Sequence, residues 1–432
     1  MSTMGVSATK NMQFICMCLA LLVSTSLCIV PSVGTFTMNT IPNPGFKGRN
    51  GTAAYLKALA KYAHLADNDG VNQATSPCQY LLNPQRLKQE HLVGEVVGFS
   101  ESNDREWLCP IKIGTPGQTL NLDLDTGSAD LWVFTPESVS HPGELGNRSI
   151  FDVNVSSTAR HQDGRTWTIT YGDGSFAEGS VITDHVELGN LTIKNATIEV
   201  ATHFSRNLID YDPFLSGLMG LAINLSTTVS PEEAGVTDGI LSQLKRKGIG
   251  SIAVDLQYHN EGTFSFGKVN TSAYNGEMHY QPVMPGEGYW QIQMSTLRYA
   301  ESNETMVHAW PSIIDTGTSL MLMGSDDVVQ DYWKLVPSAK YSYSEYGFIF
   351  RCNETLPDFH FGFVEDWTEF TVPGAYMNYS PTMDSGDGWC YGGLQSSNMG
   401  VTVIGDVILK ALYVDFNIAK ESVGFASKPL RT

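Results

Sequence analysis

Positive charge is in short supply in this chain. Its 432 residues carry 26 Lys and Arg against 45 Asp and Glu, a formal net charge of −19. A surface of that sign repels phosphate backbones, so a nucleic-acid-binding function is excluded. Long apolar runs are also missing after the N-terminus. No later stretch reaches the roughly 20 residues that a membrane helix needs, and the polar C-terminus excludes a GPI anchor. Several hydrolase and nucleotide motifs are lacking. There is no Gly-x-Ser-x-Gly elbow, no His-Glu-x-x-His and no Gly-x-x-x-x-Gly-Lys-Ser/Thr loop. The ten histidines show no ligand spacing, so neither a metal nor a cofactor is expected. Disorder is excluded by what remains: 42% hydrophobic and 10% aromatic residues are ample for one or two buried cores.

The charge that is present is unevenly spread. Residues 1–90 hold seven basic side chains (Lys10, Lys47, Arg49, Lys57, Lys61, Arg86 and Lys88) and three acidic ones (Asp67, Asp69 and Glu90), a net of +4. The remainder holds 19 basic and 42 acidic groups, a net of −23. At the extreme N-terminus, Lys10 is followed by the apolar run Phe14 to Val23. A positive residue before a short apolar run predicts a secretory signal peptide over 1–30, with a signal anchor as the alternative. Ten Asn-x-Ser/Thr sequons, beginning at Asn50, Asn147, Asn154, Asn190, Asn195, Asn224, Asn270, Asn303, Asn353 and Asn378, fit a secreted glycoprotein. Of seven cysteines, Cys16, Cys18 and Cys28 lie in or beside the signal. Cys78 and Cys109 are left either to pair or to remain thiols.

Past the signal, residues 31–50 are rich in Pro, Gly, Asn and Thr and read as a linker. Residues 52–66 predict a short helix, with Tyr55, Leu59 and Tyr62 near one face and Lys57 and Lys61 spaced i, i+4. The body, from about 92 onward, reads as strands throughout, as in Trp167 to Tyr171 and Tyr413 to Phe416, split by Gly, Asn and Asp turns. Only Gly239 to Lys247 and Ser325 to Leu335 look helical there, with Ser325 placed to cap the second. Many short strands with few helices mean an all-β chain. An internal echo accompanies this pattern. Leu124-Asp125-Thr126-Gly127-Ser128 recurs as Ile314-Asp315-Thr316-Gly317-Thr318, and each copy is followed by an apolar-Gly element, at Gly220 and at Gly405. Two copies of such a unit predict two similar β lobes.

One apolar-Asp-Thr-Gly unit is a strand running into a sharp turn that carries a carboxylate. Two of them can bring two carboxylates together at a lobe interface. Like-charge repulsion then raises one pKa and leaves the other low, so the pair shares a proton. One member serves as a general base on water while the protonated member polarises a carbonyl, which is amide hydrolysis without a covalent intermediate.

On these residues the chain resembles the pepsin-like aspartic endopeptidases, most closely their secreted fungal members, over roughly residues 92–432. Asp125-Thr126-Gly127-Ser128-Ala129-Asp130-Leu131-Trp132 is similar to the first catalytic loop, Tyr171-Gly172-Asp173-Gly174-Ser175 to the flap tip, and Asp315-Thr316-Gly317-Thr318-Ser319 to the second loop. The resemblance implies a bilobal fold of two β-barrel-like lobes with the cleft between them, divided as 91–272 and 273–432. It implies that Asp125 and Asp315 hold the attacking water, that Thr126 and Thr316 cross-link the loops, and that Ser128 and Thr318 hydrogen-bond the outer carboxylate oxygens. Gly127, Gly317, Asp173 and Gly174 would bind substrate main chain, and Tyr171 would cover the centre with its hydroxyl near Trp132. Cys352 and Cys390 are like the disulfide of the C-terminal lobe. An acidic flap residue such as Asp173 goes, in the fungal enzymes, with acceptance of Lys beside the scissile bond. Cys109, in the strand before the first loop, departs from the apolar or hydroxyl residue expected there.

The basic head then has a use. Residues 31–90 are expected to be a propeptide that docks on the acidic body near neutral pH and lets go in acid. The stretch Tyr55 to Tyr62 is similar to the family segment in which a Lys reaches the two carboxylates; Lys61 is the first candidate and Lys57 its rival. The expected protein is a monomeric, secreted zymogen that cleaves protein or peptide substrates between bulky hydrophobic residues at acidic pH, with the vacuole as an alternative location. Two other readings fit less well. A glycosidase also uses two carboxylates, but not in duplicated Thr-Gly turns. A non-catalytic binding protein on the same scaffold would typically lack one Asp or the flap Tyr, and here Asp125, Asp315 and Tyr171 are all present.

Overall fold

A computed structural model describes residues 35–42, 50–66 and 107–431. Within the last span, 140–144, 147, 172–174, 207, 209–213, 224, 226, 233–237, 287, 301, 303, 366 and 383–387 lie outside the described residues. So do the expected signal 1–30, Cys78 and the flap residues Asp173 and Gly174.

Four sheets hold all the strands among the described residues, as an all-β pattern requires. An eight-stranded sheet holds the first half in the order 41–42, Trp107–Ile113, Gln118–Asp125, Gly217–Gly220, Leu131–Phe134, Leu191–Phe204, Phe176–Leu188 and Arg160–Thr170. A seven-stranded sheet holds the second half in the order Thr368–Val372, Phe359–Phe363, Gln291–Tyr299, Met306–Ile314, Thr402–Ile404, Met321–Met323 and Leu394–Ser396. The same local weave occurs in both. Gln118–Asp125 runs parallel to Gly217–Gly220, with Asp125 opposite Gly220, and Leu131–Phe134 flanks that strand antiparallel on its other side. Met306–Ile314 runs parallel to Thr402–Ile404, with Ile314 opposite Ile404, and Met321–Met323 flanks it antiparallel. The repeated sequence unit is therefore a repeated structural unit, and the fold is the bilobal pepsin-like one.

Burial follows the period of two. In Gln118–Asp125, Leu120, Leu122 and Leu124 alternate into the core and are fully buried. Cys109, one strand away, is fully buried too and remains a thiol, packed as a small apolar group. Gly220 is required where the threaded strand passes under the first loop, since a Cβ there would lie 2.5 Å from the Ser128 carbonyl oxygen. A six-stranded sheet takes strands from both halves, in the order Phe36–Asn39, Asn260–Phe266, Ile252–Gln257, Leu412–Asn417, Ser422–Ser427 and His279–Pro282. A four-stranded sheet, Lys340–Ser342, Gly347–Arg351, Trp389–Gly392 and Asn378–Pro381, carries the Cys352–Cys390 disulfide at its centre.

Several local expectations need correction. The segment read as linker supplies an edge strand, because Phe36 and Met38 alternate inward against Phe266 and Phe264. The helix expected over 52–66 is two: α1 (Gly51–Lys61), capped by the Asn50 side chain, and α2 (Ala63–Ala66). The break falls at Tyr62, whose side chain is drawn inward to Asp315. Beyond them, α3 (Ile240–Arg246) and α4 (Asp326–Trp333) match the two expected helices, although the Ser325 side chain makes no capping hydrogen bond. A third helix, α5 (Asp406–Leu409), is too short at four residues to show a helical period.

Candidate active site

Asp125 ends the strand Gln118–Asp125 and Asp315 directly follows Met306–Ile314, so each carboxylate leaves its sheet where the chain turns through Thr-Gly. Both are buried. The turns hold their own carboxylates. The Gly127 N–H donates to Asp125 Oδ1 at 2.8 Å and the Gly317 N–H to Asp315 Oδ1 at 2.9 Å. Ser128 Oγ donates to Asp125 Oδ2 at 2.7 Å, and the Thr318 hydroxyl makes a short hydrogen bond to Asp315 Oδ2.

Beneath the carboxylates the two loops are braced against each other. The Thr126 N–H donates to Thr316 Oγ1 at 3.1 Å and the Thr316 N–H to Thr126 Oγ1 at 3.0 Å. Each hydroxyl then donates across to the opposite half, Thr126 to the Ile314 carbonyl at 2.9 Å and Thr316 to the Leu124 carbonyl. Gly127 and Gly317 let the loops close on one another: a Cβ on Gly127 would lie 2.6 Å from Asp315 Oδ1, and one on Gly317 would strike the Asp125 carboxylate. To one side, Trp132 Nε1 donates to the Tyr171 hydroxyl at 3.0 Å.

The last turn of α1 enters this site. Lys61 Nζ lies 2.7 Å from Asp125 Oδ1 and 2.9 Å and 3.1 Å from the two oxygens of Asp315. Lys57 does not reach the pair; its ammonium lies 5.8 Å from the centroid of the Tyr171 ring. Burial alone pulls the Lys61 ammonium down, but the two carboxylates outweigh it and hold its pKa above the ordinary lysine value. Burial pushes Asp125 up, with Asp315 adding to it and Lys61 opposing. Asp315 ends well below the usual carboxylate range. Burial is its largest single influence and acts upward, but Lys61 and the hydrogen bonds from Asp125 and Thr318 together prevail. The carboxyls are thus split in the manner of a proton-sharing pair.

Two residues that sequence reasoning passed over also belong here. Tyr62 donates its hydroxyl to Asp315 Oδ2 at 2.7 Å and packs edge-on against Tyr289. Its position next to the candidate Lys61 was the available signal. Asp123 lies two residues before Asp125 on the same strand, a spacing that puts both on one face. Burial, and then Asp125, push its carboxyl up to about 7, against the pull of Lys57 and Lys61.

Comparison with known proteins agrees with the fold. The model of the eukaryotic aspartyl protease family matches residues 106–428. Endothiapepsin of Cryphonectria parasitica is 36% identical over 402 residues, which cover 91% of each chain. Aspergillopepsin-1 of Aspergillus fumigatus is 36% identical over 412 residues, 94% of this chain and 96% of that one. Podosporapepsin of Podospora anserina is 34% identical over 429 residues, 95% of this chain and 97% of that one. The chain belongs to the eukaryotic aspartyl protease family. It is an aspartic-type endopeptidase, and peptides are its substrates.

Proposed function

We propose that the chain is the zymogen of a secreted, monomeric, acid-acting aspartic endopeptidase whose chemistry rests on Asp125 and Asp315. In this reading residues 1–30 are the signal, 31–90 the propeptide, and 91–272 and 273–432 the two catalytic lobes. Secretion past the glycosylation machinery accounts for the ten sequons, with the vacuole as the other destination. The single observation that carries the reading is the Lys61 ammonium, gripped by Asp125 and Asp315 where a water would otherwise stand between them.

With the head removed, the pair shares one proton. The ionised carboxylate takes a proton from water as the water oxygen adds to the scissile carbonyl carbon. The protonated carboxyl hydrogen-bonds the carbonyl oxygen as charge develops there. A proton then passes to the amide nitrogen, the C–N bond breaks, and acid and amine leave. Gly127 and Gly317, with Asp173 and Gly174 of the flap, hold the substrate main chain, and Tyr171, fixed by Trp132, closes over the centre. Large apolar side chains flank the scissile bond; a carboxylate at Asp173 would in addition accept Lys there.

Near neutral pH the basic head stays on the acidic body. Acid protonates Asp315, whose pKa Lys61 and its hydrogen bonds hold down in the docked state, and so weakens the grip on Lys61. The test is hydrolysis of haemoglobin by the secreted protein at about pH 3.5, with and without pepstatin, alongside an Asp315→Asn variant. Pepstatin-sensitive cleavage that the variant lacks is expected. Cleavage that resists pepstatin, or none after acid treatment, overturns the reading.

A further inference from the structure

The hairpin that meets α1 at the end remote from Lys61 carries a ladder of aromatic rings. Thr52 Oγ1 lies 2.7 Å from Glu345 Oε2, and Glu345 sits in the turn that joins Lys340–Ser342 to Gly347–Arg351. Two residues earlier in that turn, Tyr343 is 86% exposed. Its ring meets Tyr341 edge-on, with centroids 5.2 Å apart and planes at 75°. Tyr341 in turn meets Phe348, its cross-strand partner, at 5.6 Å and 83°. Phe348 stacks on Trp333 of α4 at 5.9 Å, and Trp333 is buried. The inner end of the ladder is therefore fixed in the core, and the outer rings are held in place on the surface.

The other face of the same sheet already holds cations on a ring. Side chains alternate across a strand, so Lys340 and Arg351 lie on the face opposite Tyr341 and Phe348. There the Lys340 ammonium stands 3.9 Å and the Arg351 guanidinium 4.2 Å from the centroid of Trp389. No cation among the described residues stacks on Tyr341 or Tyr343. We propose that Tyr341 and Tyr343 form an accessory subsite that takes a Lys or Arg side chain of the polypeptide substrate, outside the cleft. This rests on the reading of Asp125 and Asp315 as the catalytic pair and of α1 as part of a segment that is removed.

The chemistry favours a cation. Two ring planes near a right angle make a corner in which an ammonium or guanidinium meets the electron-rich face of one ring while its stem packs on the other. Charge agrees: residues after 90 carry a net of −23, and Asp326 at the start of α4 acts on the Tyr341 hydroxyl. Burial, then Tyr343 and Asp326, push that hydroxyl above the ordinary tyrosine value, so the ring stays neutral. Carboxylates lose their charge in acid, but neither a Lys nor a tyrosine ring titrates there, so the contact persists where the enzyme is proposed to work. The reach is set by α1. Thr52 and Lys61 are nine helical residues apart, roughly 13 Å along the axis, and the step from Glu345 to Tyr343 adds up to about 7 Å. An extended substrate covers that span in about four to six residues from the scissile bond.

The test uses the full chain, secreted and converted in acid, on quenched-fluorescent peptides with a central Phe–Phe pair. Lys, trimethyl-lysine or norleucine, which has a Lys-like stem without the charge, is placed in turn at the fourth to seventh residues on each side of the bond. At one position kcat/KM for Lys should exceed that for norleucine by about fivefold. Trimethyl-lysine, which keeps the charge but donates no hydrogen bond, should do at least as well as Lys. In Tyr343→Leu the Lys:norleucine ratio should fall to near one, whatever the absolute rate, and Tyr343→Phe should retain it. Tyr341→Leu gives the same readout should Tyr343→Leu not be secreted. A wild-type ratio near one at every position, loss of the advantage with trimethyl-lysine, or a ratio that the Leu variants leave unchanged overturns the subsite. So does a Tyr343→Leu variant that shifts only the pH of conversion, which would assign the rings to the basic head. A wild-type protein that cleaves none of the peptides overturns instead the assignment of the catalytic pair, and the subsite falls with it.

Discussion

Thr126 and Thr316 each donate a backbone N–H to the other's hydroxyl oxygen, at 3.1 Å and 3.0 Å, directly beneath the carboxylates that precede them in the chain. The bonds cross from one half of the molecule to the other, so they set the spacing of Asp125 and Asp315. Thr316→Val keeps the shape but strands the Thr126 N–H and the Leu124 carbonyl, both buried, at about 1–3 kcal/mol for each. The urea midpoint should fall accordingly, and kcat should drop by more than KM rises. Thr126→Val should behave alike, and the double variant should cost less than the two singles together, since they share one network. Strictly additive losses would mean that the two hydroxyls do not brace each other.

Lys61 pairs with both buried carboxylates, and in the proposed zymogen it is the cation that lets them coexist. Removing one partner of such a cluster leaves uncompensated charge and costs about 3–5 kcal/mol. The sign with pH follows from Asp315. Its folded pKa is depressed, so the stability it lends to the docked head is present above the ordinary carboxylate value and is lost as pH falls toward the depressed one. Lys61→Met removes that contribution, and acid conversion should begin at a pH about one unit or more higher than in the wild type. Following conversion by gel at a series of pH values gives the midpoint; coincident midpoints would show that Lys61 does not hold the head.

A second carboxyl pair sits behind the first loop. Glu199 and Asp130 are both buried; Asp130 accepts from the Thr228 N–H at 2.6 Å, and no donor among the described residues reaches either Glu199 oxygen. Burial, and then Asp130, push Glu199 well above its ordinary value. The folded protein therefore keeps a proton that the unfolded chain releases above about pH 4.3. Stability falls as pH rises from there toward the folded pKa, by up to about 1.4 kcal/mol per pH unit for one proton. Glu199→Gln carries no such proton and can still donate to Asp130. Urea midpoints from about pH 4 to 7 should decline less steeply in the variant, and parallel curves would refute the shared proton.

How much of this was legible follows from where the signals lie. The two Asp-Thr-Gly loops are local and duplicated, and they end apolar strands such as that of Leu120, Leu122 and Leu124, so the lobes and the facing carboxylates could be read from the chain. Phe36 and Met38 also alternate, but over four residues in a Pro- and Gly-rich setting the alternation is too brief to outweigh composition. Asp406–Leu409 is a single turn with no period to find. Tyr62 at Asp315 and Thr52 at Glu345 join residues 253 and 293 positions apart, and only the folded sheets bring them together.

The Cys352–Cys390 disulfide ties the strand edge at Gly347–Arg351 to Trp389–Gly392, closing a loop of 38 residues. Cross-linking a loop of that length restricts the unfolded chain by about 4 kcal/mol in the chain-entropy account. The same two strands carry Tyr391, which lies against Gly51 of α1, and Gly347, two residues from Glu345, which accepts from Thr52. Loss of the bridge should therefore act on stability and on peptide recognition more than on the chemical step. In Cys352→Ala/Cys390→Ala the urea midpoint should drop by an amount equivalent to about 4 kcal/mol. KM for peptide substrates should rise while kcat changes little. A fall confined to kcat would place the strain of the open loop at Asp315 instead of at the four-stranded sheet.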